Sequence, residues 1–184
     1  MGKLTLVMNV SLDGCCDHTQ VIADDELHEH ATQVLRRASG ALFGRVTYEL
    51  MRDAWPSVAR TGSGPPAMVA FARELDGKPK FVVSRDTTIT GWNTSVVPPG
   101  DLGDQIRALK ERIGGDLIMG GSARLAGSLA RMNLIDEYRL LVQPIVAGRG
   151  PRLFEGLEEP IRLELFDSKV FASGVTLLRY RRRV

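Results

Sequence analysis

Asp116-Leu117-Ile118-Met119-Gly120-Gly121-Ser122-Ala123-Arg124-Leu125-Ala126-Gly127-Ser128-Leu129-Ala130 is the stretch whose reading decides the fold. Leu117, Ile118 and Met119 form a short apolar run suited to a buried strand. Gly120-Gly121 interrupts it, and Ser122 is placed to cap a helix carrying Leu125, Ala126, Leu129 and Ala130 on one face. Strand, glycine turn and helix in that order outline an anion site. Glycines let a phosphate reach the backbone, and the first N–H groups of a helix are unpaired at the positive end of its dipole. The pattern is neither G-x-G-x-x-G nor a Walker P-loop, and a plain tight turn would use the same residues, so taken alone it leaves both readings open.

Working outward, the same arrangement recurs upstream. Ala41-Leu42-Phe43-Gly44 is an apolar run stopped by glycine, and Arg45 to Leu50 resumes as helix; Lys80 to Arg85 is a β-branched run ending in Ser84 and Arg85. Lys3 to Val10 is β-rich and leads through Asn9-Val10-Ser11-Leu12 into the turn signal Asp13-Gly14. Leu27, Ala31, Val34, Leu35 and Ala38 recur at helical spacing behind Asp24, Asp25 and Glu26. At about 100° per residue, Asp24 falls near the apolar face, with His28 and His30 on its two flanks as surface residues. Trp55 to Pro66, punctuated by Pro56, Gly62, Gly64 and Pro65, reads as a loop. Ser95 to Val97 is a weaker strand, and Asp101 caps a helix carrying Leu102, Ile106, Leu109 and Ile113, which Gly114-Gly115 ends.

Downstream, Glu137 to Pro144 is a strand, Ala147 to Pro151 a glycine-rich loop, and the runs 162–170 and 175–182 are spaced for an antiparallel hairpin. Strands alternate with helices up to about Asn133, which implies an α/β fold with a mostly parallel sheet, right-handed crossovers and antiparallel pairing at the C-terminal end. Residues 1–184 read as one domain without repeats or linkers.

Composition narrows the class. Hydrophobic content of 43%, charged content of 25% and a net charge of +2 suit a globular protein, and the few aromatics do not suggest a nucleic-acid stacking surface; the Arg181-Arg182-Arg183 tail reads as a solvated end. No apolar run approaches the roughly 20 residues that span a bilayer, and the expected location is the cytoplasm with no membrane partner. Adjacent Cys15 and Cys16 suit a reducing compartment and read as small loop residues without an obvious activating group.

Ligands of open parallel sheets bind at the carboxyl ends of the strands, and three such ends here carry phosphate-friendly chemistry: Gly44-Arg45 with Thr47, Ser84-Arg85, and Gly120-Gly121-Ser122. Several separated phosphates fit NADPH, with the glycine turns toward the pyrophosphate and the arginines toward the 2′-phosphate. Hydride transfer to C=N or C=O also needs a proton, and Asp13 and Asp24 are the candidates; a turn residue and a helix N-cap are the competing roles. The two histidines point to opposite flanks, so no metal site is expected.

Val10-Ser11-Leu12-Asp13-Gly14, Leu42 to Glu49, Val83-Ser84-Arg85, Met119-Gly120-Gly121 and Pro144 to Phe154, in that order, resemble the dihydrofolate reductase-like superfamily. The likeness is closest to its branch containing the reductase domain of riboflavin biosynthesis and stand-alone bacterial relatives. The resemblance implies a three-layer α/β/α fold and an NADPH-dependent reductase of a small heterocycle, pterin-like or a ribosylated aminopyrimidine. It assigns Gly44, Arg45 and Thr47 to cofactor phosphates, Ser84 and Arg85 to the adenosine ribose phosphate, Gly120, Gly121 and Ser122 to the pyrophosphate, and Asn9 and Val10 to the nicotinamide side. It also implies a homodimer. Counting back from Gly44 places the carboxylate that dihydrofolate reductases carry on the first helix near His28, without an acid at that position, while Asp24 and Glu26 lie close in sequence; this counts against dihydrofolate as the substrate. That gap keeps a nucleotide-binding or sensory module as the alternative, and a phosphosugar-binding α/β protein as a further one.

Overall fold

The computed structural model describes residues 2–98 and 100–183. Its strands are β1 (Leu4–Ser11), β2 (Gly40–Gly44), β3 (Lys80–Val83), β4 (Thr94–Val97), β5 (Leu117–Gly120), β6 (Glu137–Gln143), β7 (Leu163–Val170) and β8 (Thr176–Arg182). The helices are α1 (Asp25–Arg37), α2 (Arg45–Thr61), α3 (Pro66–Gly77), α4 (Leu102–Arg112) and α5 (Ala123–Arg131), with one 3-10 turn at His18–Gln20.

The strands form one sheet in the order β4-β3-β2-β5-β1-β6-β8-β7. From β4 to β6 every neighbouring pair is parallel, and β8 pairs antiparallel with both β6 and β7. Leu35, Tyr48 and Leu75 of α1, α2 and α3 pack with Ala41, Phe43 and Val82 on one face. Ile106, Leu109, Leu125 and Leu129 of α4 and α5 pack with Leu4, Leu6, Met8, Leu42 and Met119 on the other. The sheet is thus covered on both sides over its parallel half, which is why β1 and β2 read as near-continuous apolar runs rather than alternating ones.

This order creates a switch point. The chain leaves β2 outward to β3 through α2 and α3 on one face, and leaves β5 in the opposite direction to β6 through α5 on the other. The helices diverge from neighbouring strand ends and leave a crevice between β2 and β5 at the carboxyl edge, the position where open α/β sheets bind ligands.

The segment from Trp55 to Pro66 is not the expected loop. The helix α2 continues through Pro56 to Thr61, Gly62 ends it at φ 69°, and Pro66 opens α3. Proline removes one intrahelical bond, which is tolerated here because only Tyr48 of α2 is fully buried and water can take the freed carbonyl. The Trp55 and Phe71 rings meet edge-on at 4.7 Å and join the two helices. The glycine and prolines therefore punctuate a joint between two helices. No helix among the described residues is long and apolar enough to cross a membrane.

The opposite, amino edge is held by an ion pair between a buried lysine and an aspartate that still reaches solvent. Lys110 Nζ of α4, 3% exposed, lies 2.6 Å from Asp136 Oδ2, and the same oxygen accepts the Leu4 N–H at the start of β1. Removing the acid leaves the buried ammonium with only the Leu134 carbonyl at 3.5 Å and takes the acceptor from the strand N–H. Asp136→Ala is expected to cost about 2–4 kcal/mol, while Lys110→Met is expected to cost less because no buried charge is left behind. Urea denaturation of the two variants checks this; equal losses would show that the pair acts only through packing.

Candidate active site

Gly121 (φ 68°) and Ser122 (φ 62°, ψ 66°) are successive left-handed residues between β5 and α5. Ser122 holds the N-cap position of α5, but its side chain makes no cap hydrogen bond, contrary to the capping role expected from sequence. The left-handed backbone turns the hydroxyl across the crevice instead. Its oxygen accepts the Gly44 N–H at 2.8 Å and its O–H donates to Thr47 Oγ1 at 2.8 Å. The ends of β2 and β5 and the first turn of α2 are thereby locked together.

The lock explains two of the glycines. A Cβ on Gly44 would lie 2.7 Å from Ser122 Oγ, and one on Gly121 would lie 2.8 Å from Thr47 Cγ2. Gly120 differs, because its Cβ would meet Phe43 at an ordinary 3.5 Å and its φ is outside the left-handed region.

Two helix ends beside the lock have no side-chain caps. Asp24 accepts the Leu27 N–H at 2.9 Å and caps α1, and Asp101 accepts the Asp104 N–H at 3.0 Å and caps α4. The helices α2 and α5, preceded by Gly44 and Ser122, have no such cap. Their N–H groups and positive dipole ends flank the crevice.

Arg45 opens α2, is half-exposed, and contacts Glu49 at 3.3 Å. It stands close enough to Asp86 in the β3–β4 loop to help lower that carboxyl, which the Thr88 hydroxyl and N–H lower more. Ser84 Oγ accepts the Asp86 N–H at 3.0 Å. Arg85 is exposed and has no ion pair among the described residues. Arg45, Ser84 and Arg85 thus lie at the β2 and β3 side of the crevice, with Gly44, Thr47, Gly120, Gly121 and Ser122 beside it.

The β1 side is built differently. Asn9 Oδ1 accepts from Gln143 Nε2 at 3.0 Å, and the buried Gln143 also takes the Ile22 N–H on its Oε1 at 3.0 Å. The Val10 side chain is buried in the α5-side core, so only its backbone is available to a ligand. Asp13 receives the Ser11 hydroxyl at 2.6 Å and the N–H groups of Ala147 and Gly148 at 2.9 Å each. These bonds, the Ser11 hydroxyl first, hold its carboxyl well below the usual aspartate range.

Asp13 is therefore a carboxylate that staples the loops following β1 and β6. The pairs Leu12 N to Ile145 O (2.8 Å), Cys16 N to Pro151 O (2.7 Å) and Leu153 N to Gly14 O (3.0 Å) extend the same seam. An ionised group with three donors on it has no proton to give, so the expectation that Asp13 acts as the acid does not fit this geometry. Asp24 likewise spends a carboxylate oxygen on its helix cap and does not enter the crevice as a free acid.

The two histidines of α1 are half-buried, not solvated as expected. His28 lies edge-on to Trp55 and Phe71 at 6.0 and 5.9 Å, with Nδ1 2.9 Å from the Asp24 carbonyl. His30 packs on Phe171 at 5.5 Å, and burial, with Arg139 and Lys169 nearby, lowers its pKa. Helical spacing could not foresee that aromatic side chains from α2, α3 and the β7–β8 turn would cover both flanks of α1. Cys15 is buried, and burial pushes the Cys16 thiol up to about 11, which disfavours the reactive thiolate. The Ser122 lock and the Gln143 bridge were the parts missed from sequence; a buried glutamine in an apolar strand was the one signal available for the second.

The Asp13 staple has a pH signature. A carboxyl whose pKa is lower folded than unfolded stabilises fully above the ordinary value near 4, and that contribution is lost as pH falls below it toward the folded value. Asp13→Asn is expected to flatten the fall in stability below about pH 4 and to speed amide exchange at Ala147 and Gly148 at neutral pH. Denaturation from pH 3 to 7 with hydrogen exchange measures both; unchanged exchange at those two amides would rule the staple out.

Comparison with known proteins identifies the fold's relatives. Residues 2–177 match the model of the family described as RibD C-terminal domain. The uncharacterised protein YyaP of Bacillus subtilis (strain 168) is 26% identical over 149 residues, covering 81% of this chain and 77% of its own. A solved pyrimidine reductase-like protein from Corynebacterium diphtheriae superposes with a TM-score of 0.68 at 12% identity, covering 100% of this chain and 92% of that one. The diaminohydroxyphosphoribosylaminopyrimidine deaminase/5-amino-6-(5-phosphoribosylamino)uracil reductase of Thermotoga maritima superposes with a TM-score of 0.71 at 15% identity, over 99% of this chain and 57% of that larger one. At such identities the solved structures share a fold with this chain. With its strand order, its crevice and the match over residues 2–177, the chain belongs to the RibD C-terminal domain family.

Proposed function

We propose that this protein is an NADPH-dependent reductase that transfers a hydride to a small heterocycle, pterin-like or a ribosylated aminopyrimidine. The observation that carries the reading is that two helix N-termini without side-chain caps, α2 and α5, stand side by side at the carboxyl edge; α1 and α4 are capped by aspartates, and α3, which also lacks a side-chain cap, opens on Pro65-Pro66, which have no N–H to offer. Family membership supports it, as does the reductase activity in the Thermotoga protein's name.

The residues present fit the cofactor. The N–H groups at Arg45 to Thr47 and at Ser122 and Ala123, with the open backbone at Gly120, suit the pyrophosphate, and Arg45, Ser84 and Arg85 suit the 2′-phosphate. The backbone of Asn9 and Val10 lies on the nicotinamide side. When bound, NADPH supplies the hydride. The crevice orients the acceptor against β1, and since Asp13 and Asp24 are held as acceptors, the accompanying proton comes through water. Those occupied carboxylates also favour the second reading, a nucleotide-binding or sensory module that keeps the pocket without turnover.

Loss of NADPH absorbance with a panel of pterins and aminopyrimidine ribosides separates the two. Binding without turnover across the panel would favour the module.

Arg45→Ala and Arg85→Ala are each expected to weaken NADPH about 10–100-fold, with little change for NADH, because a charge-assisted contact contributes roughly 1.5–3 kcal/mol. Gly120→Ala is expected to weaken both cofactors while leaving stability nearly unchanged. Gly121 cannot serve for that test, because its positive φ and the contact with Thr47 would destabilise the fold itself. Isothermal titration reads all three variants; equal losses for NADPH and NADH in the arginine variants would remove the 2′-phosphate assignment.

A homodimer through the C-terminal strands is part of the proposal. The edge strand β7 exposes Leu165 (48%) and Val170 (70%) on one face, opposite Tyr180 and Thr176 of β8. Apolar side chains exposed on an edge strand are a face that a second copy would cover. Leu165→Asp with Val170→Asp should sediment as a monomer if that face is the interface, and an unchanged sedimentation coefficient would exclude it.

A further inference from the structure

We infer that Gln143 is a positioning residue: it turns the Asn9 carboxamide so that the NH2 group, and not the oxygen, is offered to a ligand at the carboxyl end of β1. The group recognised there is a hydrogen-bond acceptor, a carbonyl oxygen or an unprotonated ring nitrogen. The inference rests on the reductase reading and gives that end of the site its polarity.

Both residues lie on one face of the sheet. Leu4, Leu6, Met8 and Val10 of β1 pack into the core beneath α4 and α5, whereas Val7 packs with Leu141 of β6 and Leu27 of α1. Strand alternation puts Asn9 on the side of Val7 and Gln143 on the side of Leu141. In the parallel register Leu141 stands beside Asn9 and Gln143 beside Ser11, so the two carboxamides are diagonal neighbours.

Gln143 is 2% exposed, and a buried carboxamide has to be paired. Its pairing has one solution. The Ile22 N–H, from the loop between β1 and α1, can only donate, so the atom 3.0 Å from it is the Gln143 oxygen. The Gln143 nitrogen is thereby turned toward Asn9, and because it donates, the Asn9 atom 3.0 Å away is the oxygen. Reversing Asn9 would set two donors against each other; reversing both amides would move the same clash to the Ile22 N–H. A main-chain donor thus fixes the sense of a side chain two links away.

The Asn9 nitrogen is the atom left over. It has no partner among the described residues, where the buried unpaired side-chain atoms are His30 Nε2, Tyr138 Oη and Ser173 Oγ, so it reaches the surface. Asn9 and Gln143 line a cavity of about 10 Å³ with Ser11, Asp17 and Gln20 where β1 and β6 end. Both participants in the proposed reaction carry an acceptor: the nicotinamide has a carboxamide oxygen, and the group that takes a hydride is a C=O or C=N.

Gln143→Glu reverses the relay. The carboxylate still accepts the Ile22 N–H but has no hydrogen for Asn9, so the Asn9 NH2 turns to the carboxylate and its oxygen faces the ligand. Burial and the Asp17 carboxylate on the same cavity raise the pKa of the introduced carboxyl, and once protonated it donates to Asn9 as glutamine does. Without any ligand, side-chain amide NMR should show the Asn9 NH2 exchanging about tenfold more slowly than in wild type at about pH 8, and matching wild type at about pH 5.5. Isothermal titration with NADPH, with 2′-phospho-ADP-ribose, which lacks the nicotinamide, and with the pterin and aminopyrimidine riboside panel locates the acceptor. Asn9→Asp, and Gln143→Glu at pH 8, are each expected to weaken the ligand that carries it about tenfold, and the second loss recovers at the lower pH. A loss for NADPH but not for 2′-phospho-ADP-ribose assigns the acceptor to the nicotinamide; a loss for a panel compound with NADPH unchanged assigns it to the substrate.

Wild-type affinity of Asn9→Asp for every probe overturns the inference. So does unchanged Asn9 exchange in Gln143→Glu, and so does a binding loss that does not recover as pH falls, which would make Gln143 a structural tie. If wild type binds no NADPH, the reductase reading falls, and the ligand-free exchange decides the orientation of the amide by itself.

Discussion

The Ser122 hydroxyl is the joint of the site. One oxygen accepts the last N–H of β2 and donates to Thr47 in the following helix, so two strands whose helices leave to opposite faces are tied at the point where they diverge. The arrangement has structural costs that the chain meets locally. Ser122 adopts a left-handed backbone rare for a residue with a side chain, and Gly44 and Gly121 must stay bare because the hydroxyl and Thr47 occupy the space a Cβ would need. A serine that capped α5 in the ordinary way would have satisfied an N–H at the crevice and left the strand ends untied. The same geometry that locks the fold keeps those N–H groups free.

The opposite wall relies on a charge. Asp13 gathers a hydroxyl and two N–H groups and joins the loops after β1 and β6 into one seam. An aspartate ahead of a glycine is an ordinary turn residue; here its partners are 134 and 135 residues away in sequence. The crevice therefore has one side with exposed arginines and helix N-termini and another closed by a carboxylate that accepts three hydrogen bonds.

The two edges of the sheet have separate tasks. The amino edge is closed by Lys110 and Asp136, and Lys80, fully buried at the start of β3, donates to the carbonyls of Asp76 and Lys78 at 2.8 and 3.0 Å beneath the Trp92 ring. These charges sit away from the crevice and hold helix and strand ends together. The carboxyl edge is left with open backbone and exposed side chains. Stability is thereby anchored at one end of the strands, and the proposed ligand chemistry lies at the other.

Much of this was legible in the residues themselves. Apolar runs ended by glycine, the helical spacing after Asp24 and Asp101, and the late pair of β runs determined an α/β chain with parallel strands first and an antiparallel hairpin last, because periodicity and breakers act over a few residues and are written locally. The clustering of Gly44-Arg45, Ser84-Arg85 and Gly120-Gly121-Ser122 at strand ends could be read for the same reason. Other features depended on groups distant in sequence. Only the fold turned Ser122 from a cap into a cross-strand tie, because its acceptor role is set by Gly44, 78 residues away. Only the fold sequestered His28 and His30 under aromatics from other elements, carried α2 through Pro56 against α3, and occupied Asp13 with backbone from the far side of the chain. Local pattern specifies which elements form; which polar group is left free at their ends is decided by the neighbours that tertiary packing brings.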